Sequence, residues 1–225
     1  LADFGVVSPL TDPTLTVFSG STAVATNDNW SVDTTLPSAS AGSFALRPNS
    51  SDAALRFDLG AGAYTLHIGA KGSTGGVALA EVYDLVSRAD YSANMPRLLN
   101  FSARTEVGAD ANILIAGFAV DGYAPKRVLI RAAGPALAAF GLTDFLPDPK
   151  LEVFNQAGAR LATNDDWAGT EQLANTFTAV GAFAFARTSK DAALAVTLPP
   201  GSYTAQVSGA GNTTGVAIVE VYDLP

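Results

Sequence analysis

Two short polar loops, each closed by a tryptophan, contain the side chains of this sequence that are best suited to binding a metal ion. They are ATNDNW at residues 25–30 and ATNDDW at residues 162–167. Amide and carboxylate oxygens are the ligands that Ca²⁺ takes from proteins. An aspartate precedes each loop and would approach it across the end of a strand. The candidate calcium ligands are therefore Asp12, Asn27, Asp28, Asn29, Asp148, Asn164, Asp165 and Asp166.

The same loops have a second, purely structural interpretation. Asn and Asp side chains often hydrogen-bond to the backbone of their own loop in Asx turns. Trp30 and Trp167 would then close the end of a β-sandwich. Neither loop has the ligand spacing of an EF-hand, and this favours the turn interpretation over the calcium site.

The loops recur because the chain contains two copies of one module. LADFGVVSPLTDPTLTVF at residues 1–18 aligns with LAAFGLTDFLPDPKLEVF at residues 137–154. The copies also end alike, with GSTGGVALAEVYDL at 72–85 and GNTTGVAIVEVYDL at 211–224. Similarity at a long, nearly constant period indicates an internal duplication.

Each copy has the pattern of a series of short β-strands. The runs TLTVF, AALRFDL, AYTLHIGA and VALAEVYDL are rich in Val, Leu, Phe, Tyr and Thr, and clusters of Gly, Pro, Asp and Asn separate them. Such runs predict strands and turns, whereas helix candidates are few and short: GPALAAFG and GTEQLANTF. We therefore expect an all-β fold with two tandem β-sandwich modules, immunoglobulin-like or jelly-roll-like.

The two copies are not equally complete. Residues 97–136 contain about three further strands and lead directly into the second copy. The predicted boundaries are 1–85 for a first copy that lacks its opening strands, 86–96 for a linker and 97–225 for a complete second copy. One opening segment cannot complete two copies, so we expect a chain cut from a longer tandem array. The first copy would then expose a sheet edge that a neighbouring strand can join.

The order of motifs in each copy is similar to that of a known type of domain. DPTLTVF, ATNDNW and DAALRFDLGAGAYTLHI together resemble the β-sandwich modules of large secreted bacterial proteins, of the pre-peptidase C-terminal type. The resemblance covers most of each copy but not the segment RVLIRAAGPALAAFG. It implies an accessory, anchoring or carbohydrate-associated role, and calcium binding in some members.

One carboxylate per copy lies in a strand among bulky apolar residues. Glu81 lies in VALAEVYDL and Glu220 in VAIVEVYDL. A carboxylate buried there requires a partner. Arg127 or Arg131 would supply one to Glu220 and so fix how residues 97–136 dock. The alternative is that this strand face is open to solvent and that the glutamate has no special role.

The sequence has no recognisable catalytic constellation, and we do not expect an enzyme. The single histidine, His67, has Gln206 as its counterpart, so a repeated active site cannot use it. The G-x-S-x-G, H-E-x-x-H and Walker patterns are absent from the sequence. The lack of cysteine excludes disulfides, thiolate metal sites and cysteine nucleophiles.

Charge and hydropathy exclude two further classes of partner. The formal net charge is −8, and a chain with only four lysines would repel the phosphate backbone of a nucleic acid. No apolar run approaches the ~20 residues that a membrane helix requires, so we expect no membrane insertion. The remaining predicted partners are other copies of the same protein and, as an alternative, carbohydrate.

The duplication and the acidic charge without a catalytic site favour a structural protein. We expect an extracellular or cell-surface repeat module that forms a stalk, sheath or filament by homopolymeric contacts. The alternative is a carbohydrate-binding or anchoring accessory module of a larger secreted protein. Its candidate stacking platforms are the aromatic side chains Trp30, Trp167, Tyr64 and Tyr203.

Overall fold

The fold is all-β, as predicted. The computed structural model describes residues 1, 5–30, 45–72, 75–86, 89–92 and 94–225. These residues form eleven β-strands, one α-helix (α1, Glu171–Ala179) and short 3₁₀ helices at Pro135–Phe140 and Ala210–Asn212. No helix in this part of the chain is long and apolar enough to cross a membrane.

The strands fall into two compact units, Leu1–Arg97 and Leu98–Pro225. The first unit contains β1 (Pro13–Ser19), β2 (Thr22–Asn27) and β3 (Tyr64–Ala70). The second unit contains β4 (Asn100–Val107), β5 (Leu114–Val120), β6 (Lys126–Ala133), β7 (Pro149–Asn155), β8 (Arg160–Asn164), β9 (Ala192–Leu198), β10 (Gly201–Gly209) and β11 (Gly215–Asp223). Every pair of neighbouring strands is antiparallel.

The second unit is a β-sandwich. Its two sheets have the strand orders β5-β10-β7-β8 and β4-β11-β6-β9. Side chains of both sheets meet in one buried cluster, in which Leu151 and Val153 of β7 lie with Ile130 of β6 and Val219 of β11. The first unit has a single sheet in the described residues, with the order β2-β1-β3.

Strand β6 is buried on both faces. Val128 and Ile130 belong to the cluster between the two sheets. Leu129, on the opposite face, belongs to a second cluster, which includes Trp167 and, from α1, Phe177. Side chains alternate along a strand, so a strand that is covered on both faces must be apolar at nearly every position. The sequence VLIRAA of β6 follows this pattern, with Arg131 as its one charged residue.

Both short helix candidates form helices. Helix α1 begins within GTEQLANTF and extends two residues beyond it, and GPALAAFG forms the 3₁₀ helix at Pro135–Phe140. The latter stops at Gly141, whose φ of 83° lies in the left-handed region that glycine tolerates best.

The duplication is visible in the fold. By the sequence alignment β1, β2 and β3 correspond to β7, β8 and β10, and the order β2-β1-β3 matches β8-β7-β10. The register irregularity between Val17 and Phe18 also recurs between Val153 and Phe154. Each copy therefore forms the same three-stranded unit.

Two predicted strands of the first copy are wrong. Residues 53–59 and 77–85 contain no strand, and Val77 makes only an isolated bridge with Pro9. Their counterparts are β9 and β11, which pair with β6 and β4. Both β4 and β6 belong to residues 97–136, and both pair within the second unit. A strand needs a neighbour to satisfy its backbone N–H and C=O groups, so the two segments have no sheet to join.

The missing sheet leaves apolar side chains of the first copy exposed. Leu59 is 42% exposed, whereas its counterpart Leu198 is 2% exposed. Val82 is 61% exposed, whereas Val221 is 6% exposed. Full burial of such a side chain contributes about 1.5–3 kcal/mol to stability. At these positions the first copy lacks this stabilisation. In the described part of the chain, Val17 is the one buried hydrophobic residue of the first copy.

We predict a contrast in amide hydrogen exchange between the copies. In dilute, monomeric protein the amides of 53–59 and 77–85 should exchange rapidly, because no strand protects them, while those of β9 and β11 should be protected. Mass spectrometry of peptic fragments measures this directly. Equal protection of 77–85 and β11 in the monomer would contradict the assignment.

Candidate functional site

A buried ion pair joins β6 to β11 at the centre of the second unit. Arg131 donates from Nε and Nη2 to Oε2 of Glu220, at 2.8 and 2.5 Å. Tyr222 Oη donates to the other carboxylate oxygen, Oε1, at 2.7 Å. Arg131 and Glu220 are direct cross-strand partners, so their side chains lie on the same face of the sheet. The predicted pairing is confirmed for Arg131, whereas Arg127 is exposed.

Aromatic rings surround the guanidinium of Arg131. Its Cζ lies 4.6, 4.4 and 4.2 Å from the ring centroids of Phe177, Phe183 and Phe185. Nη1 donates to the backbone oxygen of Phe183 at 2.5 Å. Arg131 is fully buried, and cation–π attraction together with hydrogen bonds offsets the loss of its hydration. We call these three phenylalanines the aromatic cage.

Helix α1 and the NDDW loop position the aromatic cage. The helix begins after Thr170, whose side chain accepts a hydrogen bond from Leu173 N at 3.4 Å. Phe177, two turns later, packs against Trp167 with 5.3 Å between ring centroids. The indole N–H of Trp167 donates to the backbone oxygen of Ala186 at 3.0 Å and so ties the loop to the end of the cage.

A buried aspartate binds the turn that follows β6. Oδ1 of Asp191 accepts from the backbone N–H groups of Gly134, at 2.7 Å, and Ala136, at 3.1 Å. A Cβ atom at position 134 would lie 2.0 Å from the backbone oxygen of Leu146, so only glycine fits there. Our sequence analysis missed this contact. The available signal was the aspartate shared by SDAAL and KDAAL, which is Asp52 in the first copy.

Two buried side-chain contacts therefore help to attach the opening segment, residues 97–136, to the rest of the second copy. One is the ion pair of Arg131 with Glu220, and the other is the Gly-Pro turn on Asp191. Both recognise a polypeptide segment, and neither places a nucleophile next to a base. Both contacts hold one segment of the chain against another.

The first copy retains the carboxylates of this site. Tyr83 Oη donates to Glu81 Oε1 at 2.8 Å, as Tyr222 does to Glu220. Burial raises the pKa of Tyr83 to about 12, with a contribution from Glu81, so its phenol remains a hydrogen-bond donor at neutral pH. Asp52 accepts from Ser50 Oγ at 2.6 Å. Most of the residues that correspond to α1 and the cage lie within 31–44, outside the described residues.

The asparagines of the two acidic loops hold the loops in place. Asn164 donates from Nδ2 to the backbone oxygen of Asp166 at 2.9 Å and accepts at Oδ1 from Ala193 N at 2.9 Å. Asn27 makes the same two contacts in the first copy, at 3.0 and 3.1 Å. Each amide thus links its loop to the segment that follows Asp52 or Asp191.

The aspartates of the calcium hypothesis are placed less uniformly. Asp28 Oδ2 lies 2.6 Å from Nζ of Lys71, and this hydrogen bond lowers the pKa of Asp28 and raises that of Lys71. Asp148 pairs with Lys190 and raises the pKa of that lysine. Within the described residues no group of three His, Cys, Asp or Glu side chains is arranged to hold a metal ion. The remaining candidates are half-buried Asp12 and exposed Asn29, Asp165 and Asp166.

The four aromatic residues of the carbohydrate alternative differ in accessibility. Trp167 and Tyr203 are buried, and Tyr203 Oη donates to the backbone oxygen of Pro199 at 2.7 Å. Trp30 is half-buried, and Tyr64 is exposed. Among these four, a sugar ring could stack only on Trp30 or Tyr64.

Part of this chain is similar to solved structures of known proteins. No family model matches the sequence, and a search of curated proteins found no match. The pre-peptidase C-terminal domain of a collagenase from Bacillus anthracis matches with 13% sequence identity and a TM-score of 0.33. The match covers 57% of this chain and 98% of that domain. It is a domain of the type that the sequence motifs resemble.

Removal of the buried arginine should destabilise the second unit strongly. Arg131→Ala leaves Glu220 buried without its cation, and we expect a loss of about 3–5 kcal/mol in the free energy of unfolding. Urea denaturation followed by the fluorescence of Trp167, in a Trp30→Phe background, measures it. The neighbouring, exposed Arg127→Ala is the control and should change stability by about 0.5 kcal/mol or less. Equal effects of the two substitutions would contradict the central role of the ion pair.

The calcium hypothesis predicts a thermal shift. If the NDNW and NDDW loops bind Ca²⁺, millimolar Ca²⁺ should raise the melting temperature and a chelator should lower it, because the ion binds only the folded state. Differential scanning calorimetry provides the measurement, and the double variant Asp165→Asn, Asp166→Asn should lose much of the shift. An unchanged melting temperature would leave the turn interpretation of the loops.

Proposed function

We propose that this chain is a structural repeat unit of an extracellular or cell-surface stalk, sheath or filament, and that its first copy is where one unit joins the next. The observation that carries the proposal is the missing second sheet of that copy. Residues 53–59 and 77–85 have the sequence of strands but no strand partner. Within the described residues the first copy therefore has one sheet, whereas the second copy has two.

The remaining sheet of the first copy also has a free edge. In the second unit β10 pairs with β5 on one side and β7 on the other. Within the described residues β3 pairs with β1 alone. A free edge offers its N–H and C=O groups to a strand from another chain. Apolar surface accompanies this edge, since Ile68 of β3 is 40% exposed whereas its counterpart Val207 is fully buried.

The difference between the copies favours an open assembly. The second unit ends its sheets in β5, β8, β4 and β9, so it offers edges that differ from that of β3. A contact between the first copy of one chain and the second copy of the next is heterologous. Such a contact propagates into a fibre unless its rotation closes a ring.

A second candidate function is an anchoring or carbohydrate-binding accessory module. The observation in its favour is that Tyr64 is exposed and Trp30 half-buried, so both have surface on which a sugar ring can stack. Binding of a polysaccharide by a chain that never assembles would favour this candidate over the structural one.

Self-association at micromolar concentration is the expected result of the structural proposal. Light scattering coupled to size-exclusion chromatography should show species larger than the monomer, and electron microscopy should show filaments. Val82→Lys should abolish them, because the strand contact would bury an unpaired charge. A strictly monomeric protein without filaments would refute the proposal.

The matched control for this experiment is Val7→Lys. Val7 is exposed in the first copy, and Thr143 is exposed at the equivalent position of the second copy. Completion of the first copy therefore does not cover position 7, and assembly should survive the substitution. Loss of assembly in both variants would point to nonspecific charge effects.

A further inference from the structure

The second unit shows what a completed first copy contains. There, β6 lies between β9 and β11. Arg131 of β6 binds Glu220, and the turn after β6 binds Asp191. The first copy has the counterparts of both carboxylates, Glu81 and Asp52. It also has both flanking segments, 53–59 and 77–85.

We propose that the first copy is a preformed acceptor for a polypeptide segment of the β4–β6 type, in which an arginine, two small residues and a Gly-Pro turn bind Glu81 and Asp52. This proposal rests on the proposed function, because it uses the same open copy and names the chemistry of what fills it. The occupant is not residues 97–136 of the same molecule, because their strands β4 and β6 pair with its own β11.

Charge complementarity specifies an arginine in the occupant. The hydrogen bond from Tyr83 holds the carboxylate of Glu81 in the way that Tyr222 holds Glu220, at 2.8 Å against 2.7 Å. In the second copy the remaining carboxylate oxygen receives two N–H groups of one guanidinium. Arginine presents several donors in one plane, which the single ammonium group of a lysine cannot do.

Apolar burial specifies a strand with small and branched side chains around that arginine. Leu85 is 42% exposed, whereas its counterpart Leu224, in the cluster that contains Leu129 and Ala133 of β6, is 3% exposed. A β6-like strand pairs with both flanking segments, so a single insertion forms two ladders and covers their apolar side chains together.

A fusion protein tests the proposal in the register that the duplication defines. Residue 136 directly precedes Leu137, the counterpart of Leu1. A second copy of residues 97–136 fused before Leu1 therefore places the donor segment where the second copy has its own. We expect amide protection of 77–85 to rise to the level of β11, and Glu81→Gln to reverse a large part of that gain.

The double substitution identifies the direct contact. Arg131→Ala in the fused segment alone should have the same effect as Glu81→Gln, and the two together should cost little more than either one, because both remove the same ion pair. Glu106→Gln, an exposed change of equal charge in the second unit, is the control and should leave the protection unchanged. Additive effects of the two substitutions, or no gain of protection in the fusion, would overturn the proposal.

A synthetic peptide of residues 97–136 tests the same contact between separate chains. Added to the full chain at a concentration at which it is monomeric, the labelled peptide should bind with one-to-one stoichiometry by fluorescence anisotropy. Glu81→Gln should weaken this binding at least ~10-fold. Binding that is insensitive to Glu81→Gln would place the peptide elsewhere and overturn the proposal.

The two proposals fail in different ways. A fused segment that protects 77–85 through Glu81, in a protein whose unfused form never assembles, supports the acceptor and refutes the filament. Filaments of the unfused chain, together with a fused segment that leaves 77–85 unprotected, refute the acceptor and support the filament.

Discussion

The ion pair between Arg131 and Glu220 is the interaction on which the complete copy depends. A charge without water is tolerated only when all of its partners are present, and here they come from β6, β11, α1 and the loop that carries Phe183 and Phe185. The ion pair brings together Arg131 and Glu220, which are 89 positions apart in the sequence. The sheet β4-β11-β6-β9 thus has one polar contact at its centre that only the correct strand register can satisfy.

Within the given residues, the two copies can be compared as one module with and without the segment that contains β4–β6. The sheet that both copies share contains β1 and β2, or β7 and β8, which are hairpins of neighbouring segments. Local pairing costs little loop-closure entropy, so this sheet forms in either copy. The other sheet has one of its two central strands, β6, in the opening segment. Within the described residues of the first copy, the segments equivalent to β9 and β11 lack this common neighbour. Glu81 keeps the donor Tyr83 but has no counterpart of Arg131 there, and Asp52 has no counterpart of the Gly134 and Ala136 N–H groups.

The acidic loops contribute to this framework through their amides and tryptophans. Asn27 and Asn164 hydrogen-bond to the segment that follows Asp52 or Asp191, and Trp167 packs against Phe177 of α1. Several of the candidate calcium ligands therefore hydrogen-bond to backbone groups or form ion pairs with lysines. The binding site that we propose lies instead in the first copy, where the phenol of Tyr83 donates a hydrogen bond to the carboxylate of Glu81.

The sequence by itself determined the duplication, the all-β class and helix α1, because each of these follows from residue types or from a pattern that repeats along the chain. For Glu220 it left two alternatives, an arginine partner or a solvent-exposed strand face, and only the structure showed the pairing with Arg131. The sequence did not reveal the contact of Asp191 with the turn at Gly134, since a buried carboxylate that accepts backbone N–H groups has no distinctive spacing. Nor did it determine the state of VALAEVYDL and VAIVEVYDL. The first of these nearly identical segments is largely exposed and pairs only through an isolated bridge at Val77, whereas the second is β11, one of two central strands of its sheet. Only the tertiary structure decides between the two states, because the hydrogen-bonding groups of a strand are satisfied by its neighbours and not by its own residues.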